Sequence, residues 1–140
     1  MNEKFLLEQY ALKFLGLPYR WDGDDPMEGF DCSGYVIELL KSQGLFSEKE
    51  DLTSQGLYDK YKSIEDPKPE FGVLVFFGKS NKQITHVGFC VNEWQMIEAG
   101  GGGSSTVNKE IASKQNAYLK LRPINKRKDI VGYARPPWKF

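Results

Sequence analysis

The sequence is poorest in the residues that most often carry metal and redox chemistry. Among 140 residues there is one histidine, His86, and there are two cysteines, Cys32 and Cys90. Two cysteines cannot build a disulfide framework, and this set falls short of the four Cys/His ligands of a structural zinc site within one chain. Any histidine base or ligand must therefore be His86. An excess of one charge is also missing, since 19 Lys and Arg balance 19 Asp and Glu. That balance leaves no broad cationic field for a nucleic-acid backbone or an anionic membrane, so recognition must be local and no nucleic-acid partner is expected. No apolar run approaches the roughly 18 residues of a membrane span. Met1 is followed by the charged, amphipathic Asn2-Glu3-Lys4-Phe5-Leu6-Leu7-Glu8 instead of a basic stretch and an apolar core, so neither membrane insertion nor export by a visible signal peptide is expected.

What is present reads as a folded chain: 40% hydrophobic and 27% charged residues over a length that suits one domain, taken as 1–140. Leu6, Leu7, Tyr10, Ala11 and Phe14 make a helical stripe over residues 3 to 15, with Asn2 as its cap. Residues 16 to 31, rich in Gly, Pro and Asp, form a loop. A second helix begins near Cys32, with Val36, Ile37, Leu39 and Leu40 on its apolar side and Gly44 as a stop. A short helix covers 51 to 62, with Leu57 and Tyr61 facing inward. The period then changes, predicting strands at Val73–Phe77, Thr85–Val91, Trp94–Ala99, Tyr118–Leu121 and Ile130–Ala134. Helices first and an antiparallel sheet afterwards make an α+β fold.

Cys32 stands at the expected start of a helix in Phe30-Asp31-Cys32-Ser33-Gly34-Tyr35. There the positive end of the helix dipole favours the thiolate, the form that acts as nucleophile. Asp31 can cap the helix, and Gly34 allows a close approach by a backbone or a substrate. His86 lies on a strand where Val87, Phe89 and Val91 share one face and His86, Gly88 and Cys90 the other. A cysteine and a histidine on separate elements suit a thiol and its base, which meet in space. Glu98 follows on the next strand. A hairpin loop of odd length puts it on the His86 face, and a three-residue loop at Val91-Asn92-Glu93 puts the two directly opposite. Cys90, some four residues further along the His86 strand, reads as a buried spectator.

These strings resemble the NlpC-type cell-wall cysteine peptidases, a papain-like group. The resemblance runs through Leu17-Pro18-Tyr19-Arg20-Trp21-Asp22-Gly23, Gly29-Phe30-Asp31-Cys32-Ser33-Gly34-Tyr35-Val36, Ile84-Thr85-His86-Val87-Gly88, Met96-Ile97-Glu98-Ala99 and Val131-Gly132-Tyr133-Ala134-Arg135-Pro136. It implies a papain-like arrangement, with N-terminal helices on a central antiparallel sheet. It also implies hydrolysis of peptidoglycan stem peptides or muropeptides, commonly between D-γ-glutamyl and a diamino acid, without metal or other cofactor. By matching positions Cys32 is the nucleophile and His86 the base, and Tyr19 belongs to the oxyanion region with the backbone at Cys32 and Ser33. Trp21 and Asp31 complete the expected substrate cleft. The sequence departs from the family twice. Glu98 stands where His, Asn or Gln is usual, and Trp21-Asp22-Gly23 replaces the common Trp-Gly-Gly. Glu98 can still accept from an imidazole N–H and stabilise the imidazolium.

Other features weigh less. Asp22, Asp24 and Asp25 lack the spacing of a calcium loop and read as an acidic cleft wall for substrate amines. Gly100-Gly101-Gly102-Gly103 lacks the lysine of a phosphate loop and reads as a mobile rim. Asn125-Lys126-Arg127-Lys128 reads as a solvated loop. Two other readings stay open: an amidase or acyltransferase on a different substrate, and a virion- or wall-associated structural or binding module. The expected settings are a phage lysin or a phage tail or virion partner, or the cytoplasm with recycled muropeptides.

Overall fold

A computed structural model describes residues 2–25, 29–103 and 105–140, with only the backbone of Asp24 and Asp25. The chain runs α1 (Glu3–Lys13), β1 (Asp24–Asp25), β2 (Gly29–Phe30), α2 (Cys32–Ser42) and α3 (Ser54–Tyr61). It continues through β3 (Leu74–Gly78), β4 (Ile84–Cys90), β5 (Gln95–Gly100), α4 (Lys109–Lys114), β6 (Tyr118–Pro123) and β7 (Ile130–Ala134). The larger sheet is antiparallel in the order β6-β5-β4-β3-β7. Helices of the first half pack on it, the α+β layout expected from the change of period.

α2 is the central helix. Tyr35, Val36, Ile37, Leu39 and Leu40 are all buried, and the helix packs on β4 and β5. The Tyr35 hydroxyl, buried with the helix, donates to the Ala11 carbonyl at 2.8 Å and ties α1 to it. α1 buries Leu7 and Ala11 but leaves Leu6 exposed, so its apolar stripe is narrower than expected. Strand alternation divides the sheet as its period dictates. Leu74, Phe76, Val87, Phe89 and Ile97 join the main core with α2, while Val73, Val75, Phe77, Cys90 and Met96 form a second cluster with Ile124.

Two elements lie where only loops were expected. The hairpin β1–β2 pairs Asp24 with Phe30 and Asp25 with Gly29, inside a segment whose Gly, Pro and Asp content masks any strand period. α4 is capped by Asn108, which accepts from the Ile111 amide at 3.0 Å. It has six residues and buries one of them, Ala112, too short for an apolar period.

Candidate functional site

Cys32 is the first residue of α2, and the element is set there by its cap. The Asp31 carboxylate accepts from the Gly34 amide at 2.7 Å and from the Ser33 hydroxyl at 3.4 Å. The first amides of a helix have no carbonyl partner within it, so the backbone at Cys32 and Ser33 presents donors beside the thiol. The close approach at Gly34 is made by backbone: a Cβ there would lie 2.0 Å from the Gly23 carbonyl oxygen. That carbonyl accepts from the Asp31 amide at 3.0 Å, which locks the loop carrying Tyr19 and Trp21 against the head of α2. Asp22, in the same loop, has φ +59°. This is the left-handed region that glycine usually fills and aspartate tolerates, so its departure from Trp-Gly-Gly leaves the turn intact.

Tyr19 is buried, and its amide donates to the Ala117 carbonyl at 3.0 Å, so the loop is also pinned to the start of β6. Burial, then the charges of Cys32 and Asp31, push its hydroxyl well above the usual phenol range; it stays a proton donor. The glycine run is a wall of the cleft rather than a free rim, since a Cβ at Gly102 would meet the Tyr19 ring at 2.4 Å.

His86 lies at the head of β4. The ladder with β3 changes register between Phe77↔His86 and Gly78↔Ile84, leaving Thr85 as an additional residue beside it, a bulge of the kind that re-aims a neighbouring side chain. The His86 ring packs on Phe77 with centroids 5.5 Å apart. Its Nε2 is 3.0 Å from Glu98 Oε1, and both side chains are buried. The Cys32 thiol and the His86 ring line one cavity and shift each other's titration; with Nε2 engaged by Glu98, Nδ1 is the nitrogen left for Cys32.

The hairpin reaches this geometry by a route different from the expected one. Phe89 pairs with Ile97 and Cys90 with Met96, and the turn is Asn92-Glu93-Trp94 rather than Val91-Asn92-Glu93. Asn92 Oδ1 accepts from the Trp94 and Gln95 amides, both at 2.8 Å, and closes that turn. The loop keeps three residues, so Glu98 is on the His86 face, but the register has moved by one pair. The two residues meet diagonally and not as direct partners.

Three shifts follow. Burial raises the Cys32 thiol, but the hydrogen bond and charge of His86 and the hydrogen bond to Ser54 outweigh it, so the thiol lies below its ordinary value. Burial opposes the charged form of His86 too, yet its contacts with Cys32 and Glu98 push it up to about 9. Glu98 is lowered, against its own burial, by His86 and by the charges of Arg122 and Arg127. The three charges support one another as thiolate, imidazolium and carboxylate.

Ser54 was not legible in the sequence. It heads α3, capped by Thr53, and its Oγ is 3.3 Å from Cys32 Sγ. Only the start of the short helix expected over 51 to 62 pointed that way. Two cavities flank Cys32. One, about 350 Å³, includes Tyr19, Trp21, Asp22, Asp31, Ser33 and Ser54; the other, about 300 Å³, includes His86, Glu98, the glycine run, Arg122 and Arg127. Arg127 thus leaves the expected solvated loop: it stacks on Phe77 at 4.8 Å and pairs with Asp129, while Lys126 and Lys128 stay exposed. The side chains of Asp24 and Asp25, expected on the acidic wall, lie outside the described residues. Cys90 is buried and far from water, its thiol pushed up to about 12 by burial. Among the described residues no group of three or more His, Cys, Asp or Glu could hold a metal ion, and no helix is long and apolar enough to cross a membrane.

The chain is similar to known proteins in sequence and in fold. The chain is 38% identical over 95 residues to the bifunctional muramidase/DL-endopeptidase CwlT of Bacillus subtilis, covering 66% of this chain and 28% of that protein. It is 30% identical over 118 residues to the probable peptidoglycan endopeptidase LytE of the same organism, covering 84% and 32%. The chain therefore spans about a third or less of these relatives. RipD of Mycobacterium tuberculosis, described as a non-catalytic NlpC/p60 domain protein adapted to peptidoglycan binding, superposes with a TM-score of 0.72 at 17% identity, covering 99% of both chains. The profile of the NlpC/P60 family matches residues 16–126, and with the helix-borne cysteine and the antiparallel sheet in place, the chain belongs to the NlpC/P60 family of papain-like enzymes.

Proposed function

We propose that the protein is a cysteine endopeptidase that hydrolyses peptidoglycan stem peptides at the amide between D-γ-glutamyl and a diamino acid. One arrangement carries the reading: a buried histidine that shares a cavity and a mutual charge interaction with a helix-borne thiol and is held by a buried carboxylate at 3.0 Å. A binding module has no use for a thiol held below its ordinary pKa, which favours catalysis over the binding role described for RipD. The family relatives supply the substrate class.

In this reading Cys32 is the nucleophile, His86 the acid and base, and Glu98 the residue that holds the imidazole and its charge. The thiolate sulfur bonds to the amide carbonyl carbon. Amides at Cys32 and Ser33, with the Tyr19 hydroxyl, meet the negative oxygen of the tetrahedral intermediate. His86 gives its proton to the leaving nitrogen, the C–N bond breaks, and a thioester remains. Neutral His86 then takes a proton from water, the hydroxide adds to the thioester carbonyl, and the C–S bond breaks to restore the thiolate. Ser54 donates to that thiolate in both resting and regenerated states.

Mass spectrometry of defined muropeptides digested by the wild type and by Cys32→Ala tests the reading and reports the bond cleaved. Cleavage by the wild type alone, at the amide between the γ-carboxyl of D-glutamate and the diamino acid, is expected. No cleavage by the wild type, or cleavage that survives Cys32→Ala, overturns it.

A further inference from the structure

The cleft has opposite electrostatic character on the two sides of Cys32. The cavity beside the head of α2 carries the carboxylates of Asp22, Asp31 and Asp51. The cavity beyond His86 carries Arg122 and Arg127, with Glu98 in its wall. Glu98 is committed through Oε1 to His86, and Arg127 is held by a two-bond pair with Asp129 at 2.9 and 2.7 Å. Arg122 is different. It is half-buried on β6 opposite Met96, and among the described residues its guanidinium makes no hydrogen bond or ion pair; it is attracted through space by Glu98 and repelled by Lys120.

The glycine run makes that guanidinium accessible. A Cβ at Gly100 would lie 3.5 Å from Arg122 Nη1 and 2.7 Å from Glu98 Oε1, so a side chain there would cover the space between them. Gly100 to Gly103 leave the floor of the cavity as backbone. A half-buried guanidinium with free donors, facing a cavity of about 300 Å³, is matched in shape and charge to a carboxylate, which it can bind with two parallel N–H donors.

The proposed reaction decides which part of a substrate lies there. An acid that protonates a leaving amine must sit on the leaving side, so the amine-bearing residue departs over His86 and into the arginine cavity. The geometry points to Arg122 as a specificity residue that binds a side-chain carboxylate of the diamino acid on the amine side of the cleaved bond, selecting diaminopimelate-type over lysine-type stem peptides. A lysine side chain would bring an ammonium group and no carboxylate to two guanidinium groups, and an amidated diaminopimelate would keep its ammonium group while losing the carboxylate. This inference rests on the proposed peptidase reading for the direction of the substrate.

Binding separates it from cleavage. Three tripeptides, L-Ala-D-γ-Glu followed by diaminopimelate, its side-chain amide or lysine, are titrated calorimetrically into Cys32→Ala and into Cys32→Ala/Arg122→Gln. The free acid should bind the first protein about tenfold or more tighter than the amide or lysine peptide, the scale of one charge-assisted hydrogen bond. The preference should vanish in the second and return in part with Arg122→Lys. Equal binding of the three peptides, no binding of any, or a preference that survives Arg122→Gln in a protein whose circular dichroism matches the parent overturns the assignment. A loss shared equally by all three peptides on Arg122→Gln places the guanidinium on the common α-carboxylate and also overturns it. The wild type on the same peptides reads the reaction separately: a carboxylate preference without cleavage sinks the peptidase reading and leaves the subsite.

Discussion

His86 Nε2 and Glu98 Oε1 are 3.0 Å apart on neighbouring strands, although the ladder pairs, Phe89 with Ile97 and Cys90 with Met96, leave them diagonal to each other. A diagonal pair on one face is still within reach of long side chains. Glutamate, one methylene longer than aspartate and charged where asparagine or glutamine is neutral, bridges that offset and adds a negative charge beside the imidazolium.

Glu98→Gln keeps an acceptor and removes the charge. Hydrogen bonds to Cys32 and Glu98 hold His86 near 9, so the substitution should lower the alkaline limb of the pH profile for kcat/KM by roughly one unit or more, the usual effect of one nearby opposite charge. Kinetics on a defined stem peptide across pH 5 to about 10 measure the shift. An unchanged limb would remove the carboxylate from the electrostatics of the site.

Cys32 and Cys90 should differ sharply in reactivity. Cys32 is lowered by His86 and Ser54, whereas burial raises Cys90 to about 12. Iodoacetamide should label Cys32 well below the ordinary thiol pKa of about 8.5 and leave Cys90 untouched until the protein unfolds. Peptide mapping after labelling at several pH values distinguishes them.

Ser54→Ala removes the hydroxyl 3.3 Å from Cys32 Sγ. The onset of Cys32 labelling should move to higher pH, while stability falls by about 1 kcal/mol, the scale of one hydrogen bond. Stopped-flow alkylation and a denaturation curve read the two effects independently.

Gly34→Ala forces a Cβ to within 2.0 Å of the Gly23 carbonyl oxygen. The neighbouring atom is backbone, so relief requires the loop or the helix to move, at a cost of about 1–3 kcal/mol typical of overpacking. Thermal unfolding should show a lower Tm, and labelling of Cys32 should change with it because the same contact seats the head of α2.

Stability should depend on pH through the same buried groups. His86 is raised from 6.5 to about 9, so the charged form stabilises the fold fully below about pH 6.5 and that contribution is lost as pH rises through about 9. Glu98 is lowered from 4.5, so its contribution is present above that value and lost as pH falls through the depressed one. Tm should therefore be highest between those limits, and Glu98→Gln should flatten both flanks.

The main elements were legible because each has a period long enough to show. Val36, Ile37, Leu39 and Leu40 mark α2 and are buried in it, and the strand residues Val87, Phe89 and Cys90 divide between the two faces as alternation requires. The hairpin β1–β2 and the helix α4 were not, because two-residue strands and a six-residue helix bury too little to leave a pattern.

The sequence alone determined that any histidine chemistry belongs to His86, that Cys32 heads a helix behind an Asp31 cap, and that an odd-length hairpin loop brings Glu98 to the His86 face. These are consequences of count, capping and strand parity, which are local. Tertiary structure decided the rest: the shift of the hairpin by one pair, the arrival of Ser54 from α3 at the Cys32 sulfur, the seating of the glycine run on Tyr19, and the entry of Arg122 and Arg127 into the cleft. Each joins residues far apart in the chain, and its geometry is set by how helices and strands pack, which no local spacing encodes.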